Sequence, residues 1–153
     1  MHYLTSRFTN STWNETLSYR NNMNIKCLYG STEEISSKIP IDSHVYVIEM
    51  NNDINQILGI GIIKNRHKTP HSCKIYSNYN YNRYVYQGTS HLTRDTIIKQ
   101  NKLLVEKLEK MLFKGKSHMK RGSGLTEISN NLLNKLRDDF DIKYSINNLT
   151  FDK

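Results

Sequence analysis

The chain has 153 residues, 37% of them hydrophobic, and a formal net charge of +8 at pH 7. The length suits one domain, and the composition excludes a membrane-spanning segment because no apolar run is long enough to cross a bilayer. A basic balance of this size on a small domain makes a polyanion the first partner to consider.

From the N-terminus, His2–Leu4 and Ile25–Tyr29 read as short β-prone runs. Between them Ser11 or Thr12 can cap a short helical turn that carries Leu17 and Trp13, the one tryptophan of the chain. Trp13 is either a core anchor or a stacking platform. Ser31 with Glu34 three residues later fits a capping box and predicts a short helix, ended by Pro40.

Val45–Met50 and Ile57–Ile63 are strand-length and almost continuously apolar. They predict two central strands covered on both faces, joined as a hairpin across Asn51–Gln56. If Met50 pairs with Ile57, then Tyr46 faces Gly61 and Ile48 faces Gly59. The two glycines would leave a slot for the Tyr46 ring. Glu49 is the one ionisable residue in these strands. A buried carboxylate needs a partner or a raised pKa, so a wet position at the strand end is expected.

In the basic loop Asn65–Cys73, His67, His71 and Cys73, with Cys27, have the residue types of a zinc site. Pro70 breaks any helix that would bring His67 and His71 to one face, so neither metal nor other cofactor is expected. The two cysteines, Cys27 and Cys73, read as free thiols. Lys74–Gln87 then holds five tyrosines, with Arg83 and asparagines between them. Arg83–Gln87 alternates like a strand and sets Tyr84 and Tyr86 on one face. Those rings either stack on bases or lie half-buried in an ordinary strand.

Thr93 can cap a helix to about Lys114, with Ile97, Ile98, Leu104, Val105, Leu108, Met111 and Leu112 on one face. Lys114–Gly124, KGKSHMKRGSG, follows with Lys114, Lys116, Lys120 and Arg121 and no acid. The spacing of Leu125, Ile128, Leu132, Leu136 and Phe140 predicts a further helix, whose N-terminus would meet this Gly-rich loop and favour phosphate. Ile142, Tyr144 and Ile146 alternate as a final strand. The fold expected is α+β, with a small mixed or antiparallel sheet packed with two C-terminal helices.

Val45–Asn65, VYVIEMNNDINQILGIGIIKN, resembles the PUA-like group, including its EVE and ASCH branches, in which a strand pair ends in a phrase like I-x-G-I-G-x-I. The resemblance implies a small barrel that binds RNA or modified bases. Tyr46–Asn65 and Leu112–Thr126, LFKGKSHMKRGSGLT, are similar to small proteins of large DNA viruses that infect amoebae. The alanine-free sequence fits their AT-rich genomes. That resemblance implies life in host cytoplasm or nucleus, or in the virion, and carries no activity. The N-terminal MHYLTSRFTN has no apolar signal-peptide centre, so an intracellular, non-secreted chain is expected.

The first functional expectation is a non-enzymatic module for DNA or RNA. Lys114, Lys116, Lys120 and Arg121 would grip phosphates. Arg83, Tyr84 and Tyr86 would stack, and Trp13 and Tyr46 would offer an aromatic pocket. The second is an interaction protein that forms a homodimer through the long helix or a sheet edge. The third is an enzyme acting on nucleic acid. It has six histidines to draw on but no Ser-His-Asp, Cys-His or paired-carboxylate spacing.

Overall fold

The chain builds a six-stranded, curled half-barrel sheet, seen in a computed structural model that describes residues 1–70, 72–135 and 137–151. The elements in order are β1 (His2–Phe8), α1 (Asn10–Met23), β2 (Cys27–Ser31), β3 (His44–Asn51) and β4 (Gln56–Lys64). A 3-10 turn (Tyr79–Asn82), β5 (Tyr84–Thr93) and α2 (Arg94–Phe113) follow. The chain then forms β6 (Leu125–Glu127), α3 (Asn130–Asn134) and α4 (Ile142–Asn147). The strand order is β2-β5-β4-β3-β1-β6. β1 pairs with β3 in parallel and the other pairs are antiparallel, so the sheet is mixed.

The β3–β4 hairpin is central, as the two apolar runs predict. Alternation along β3 sends Tyr46, Ile48 and Met50 to one face and Val45 and Val47 to the other. The first face packs against α2, α3 and α4 through Ile97, Leu104, Leu108, Leu133, Ile142 and Ile146. The second packs under α1 and the segments around Ile35, Ile39 and Ile75. The apolar stripe of α2 is thus buried within one chain.

The hairpin register departs from the expected one. Met50 does pair with Ile57, but a bulge follows, so Glu49 faces Gly59 and Val47 faces Gly61. Tyr46 lies opposite Ile62 instead of over a glycine. The slot at Gly61 is filled by Tyr29 from β2, whose hydroxyl stands where a Cβ would be.

Other local expectations are corrected by tertiary pairing. The cap of α1 is Thr9, not Ser11 or Thr12; it forms a reciprocal capping box with Thr12. This helix runs for 14 residues and buries Thr16 and Arg20, a polar inner face that apolar periodicity cannot reveal. Ser31 opens no helix. It ends β2, and its hydroxyl accepts from the Leu125 and Glu33 amides, at 3.4 Å each. The bond to Leu125 brings β2 against β6 and curls the sheet. Leu125 does not start a helix either; it begins β6, paired with Ser6 of β1. Ile142 and Ile146 are buried on α4 while Tyr144 is exposed, so their spacing is helical and the final strand is absent. Leu136 lies outside the described residues.

Thr93 caps α2 as expected, bonding the Thr96 amide. Asn101 interrupts the helix with φ −158° and ψ 86°, and its side chain caps the second half by accepting from Leu104. The two halves form one long element with a kink.

Candidate nucleic-acid interface

The segment Lys114–Gly124 leaves α2 and crosses to β6 under the control of one arginine. Arg7, near the end of β1, donates to the carbonyls of Met119, Gly122 and Gly124 and to the hydroxyls of Thr5 and Thr126. No carboxylate pairs with it among the described residues. Asn52, just past β3, donates to the Lys120 carbonyl at 2.9 Å. Gly122 and Gly124 have φ of 90° and 70°, the left-handed region that glycine enters without a Cβ clash. The loop is therefore laid flat against the ends of β1 and β3.

Between this loop and the first strand–helix junction lies a cavity of about 170 Å³. Phe8, Tyr76 and Tyr81 give it aromatic walls, and Thr9, Thr12 and Ser123 add hydroxyls. Gly30 makes room for it, because a side chain there would strike the Tyr81 carbonyl and the Tyr76 ring. Asn52 also lines it. With its amide nitrogen on Lys120, the Asn52 Oδ1 is buried without a hydrogen-bond partner.

The sequence-predicted residues divide among several places. Lys120 and Arg121 precede the glycine wall of the cavity and are part-exposed and exposed. Lys114 and Lys116 are exposed at the other end of the loop, against α3. Arg83 is exposed, with its guanidinium 5.6 Å from the Tyr84 ring centre. Tyr84 pairs with Ser31, the residue whose hydroxyl meets Leu125, so Arg83–Tyr84 and the glycine end of the loop flank one position. Tyr86 is 1% exposed, accepts from the Ile35 amide and presents no open ring face. Trp13 packs edge-on to Phe8 and Tyr46 stacks on Tyr3; the two lie on opposite sheet faces and share no pocket.

A second polar group lies within the sheet, centred on Glu49. Glu49 is fully buried, not wet at a strand end. Its carboxylate accepts from Arg20 at 2.9 Å, from the Tyr29 hydroxyl at 2.8 Å and from His91 Nε2 at 2.9 Å. The Arg20 guanidinium is held between the rings of Trp13 and Tyr29, at 5.0 and 5.4 Å. Burial pushes the Glu49 pKa up, but His91, Arg20 and the hydrogen bonds outweigh it and hold the carboxyl down, at about 2. The same surroundings push the Cys27 thiol up to about 11, chiefly by burial. Arg20 and Glu49 are closed to water and His91 is partly exposed, and the cluster fastens α1 and β2 to β3 and β5. Its partners lie far apart in sequence, and only the lone charge in an apolar strand signals it.

No protein-family model and no curated protein matches the chain. Among the described residues no group of three or more His, Cys, Asp or Glu side chains is placed to hold a metal ion. His67 instead bonds Glu34 and the Lys68 carbonyl, and Cys27 and Cys73 are free and buried. His71 lies outside the described residues. Among them, no helix is long and apolar enough to cross a membrane.

Proposed function

We propose that this chain is a non-enzymatic nucleic-acid-binding module. It takes one unstacked base into the cavity beside Gly122–Gly124 and holds neighbouring phosphates with Lys120 and Arg121. One observation carries the reading: the basic loop is itself a wall of the aromatic cavity. Aromatic walls bind base faces. Arg83 over Tyr84, one residue away across β2, supplies a further cation and ring face. The net charge of +8 supports the same partner class, as does the PUA-like phrase at Val45–Asn65.

Anisotropy titrations of single-stranded and duplex oligonucleotides across a salt series test it. Binding should weaken steeply with salt, because each neutralised phosphate releases counterions. Lys120→Ala with Arg121→Ala should weaken all sequences about equally and lower the log–log salt slope by roughly one to two units. Tyr84→Ala should harm single-stranded binding more than duplex binding. Unchanged affinity and slope in the loop variant would reduce the loop to a solvated connection and sink the reading.

A further inference from the structure

At the far end of the loop from the cavity, the last turn of α2, the loop start and α3 enclose a groove of about 300 Å³. Its floor is apolar, made by Met111 and Leu132. Its rim carries Lys110, Lys114, Lys116 and Lys135, and among the described residues no acid lines it. None of the ion pairs among the described residues involves any of these lysines.

We infer that this groove is a second contact site for a single-stranded phosphodiester backbone, with a base lying over Met111 and Leu132. The inference rests on the nucleic-acid reading and adds Lys110 and Lys135 to it. Lys110 and Lys114 flank the C-terminus of α2, where cations complement the helix dipole. Lys116 and Lys135 are not accounted for that way. They come from the loop and from the end of α3 and converge on the same space. Four like charges around one groove repel each other, and an anion placed among them relieves that repulsion. The floor decides the form of the anion. Duplex DNA or RNA turns phosphates outward and hides its base faces, so an apolar floor gains nothing from it. A single strand exposes base faces that apolar and polarisable side chains can cover. Lysine stems lie along such a floor while their ammonium groups reach outward. Because one loop links groove and cavity, a strand whose base enters the cavity runs on towards the groove.

The test uses the full chain with single-stranded oligonucleotides of about four and about twelve nucleotides, site sizes within the range seen for single-strand binders. The wild type should bind the longer one more tightly, with a steeper salt slope. Lys110→Gln with Lys135→Gln should abolish most of that gain, lowering the slope by about 1.4 units at roughly 0.7 per lost single-strand contact. Binding of the short oligonucleotide should stay unchanged. Both lysines are exposed, so circular dichroism and melting of the variant should match the wild type. A length gain that survives in the variant overturns the groove and leaves the cavity reading standing. An equal effect on a duplex overturns the single-strand assignment. Failure of the wild type to bind any oligonucleotide removes both.

Discussion

Glu49 stays ionised in a fully buried position because three donors from three elements meet it: Arg20 of α1, Tyr29 of β2 and His91 of β5. Its folded pKa of about 2 lies below the ordinary 4.5. The stabilisation is therefore complete above about pH 4.5 and is lost as pH falls towards 2. A shift of this size corresponds to something on the order of 3 kcal/mol, about 1.4 kcal/mol per unit. Urea midpoints at pH 7, 4 and 3 should fall accordingly for the wild type. Glu49→Gln should start lower at pH 7, since it leaves Arg20 as an uncompensated buried charge, a loss of about 3–5 kcal/mol. Its midpoint should then change less with acid than the wild type's. Parallel pH curves for the two proteins would show that Glu49 does not set acid stability. The charge itself is plain in the sequence, as an acid inside an apolar run. Its partners are not, because Arg20, Tyr29 and His91 share no spacing with it that helix or strand periodicity would reveal.

At the scale of elements, the bulge in β4 matters more than its size suggests. It rotates the register so that the two glycines serve the Glu49 cluster. At Gly61 a methyl group would occupy the place of the Tyr29 hydroxyl and press on Cys27 Sγ. Gly61→Ala should lower stability by about 1–3 kcal/mol, the usual cost of overpacking. Thermal melts read this directly; an unchanged midpoint would mean that the slot is loose. The strength of sequence patterns tracks what was legible here. The β3–β4 strands and α2 carry their own unambiguous apolar patterns, and Thr93 announces its cap. The segment from Leu125 to Ile146 mixes spacings of two, three and four. Only pairing with β1 and packing on α2 decide that Leu125–Glu127 is a strand and Ile142–Asn147 a helix. The cation-rich ends of the loop could be read from sequence, whereas the cavity could not. Its walls come from β1, β2, the Tyr79–Asn82 turn and the loop, brought together only by the curl of the sheet.

For the whole molecule, protection should follow the layering. β3 and β4 have bonded neighbours on both sides and core on both faces, so their amides should be the last to exchange with deuterated water. The Lys114–Gly122 segment, largely exposed and with few backbone bonds, should be among the first. Uniform exchange across both would contradict this layering. The position of β1 also has a consequence for biosynthesis. It is made before both of its neighbours: it lies between β3 and β6, and Thr5 meets its β6 partner Thr126 only 121 residues later. At about 5–20 residues per second, translation of that interval lasts on the order of ten seconds. Throughout, the β1 edge that β6 will cover lacks its partner in the nascent chain and is open to chaperones and to wrong partners. Slower translation would lengthen that window, so the yield of native protein should depend on the speed of its own synthesis.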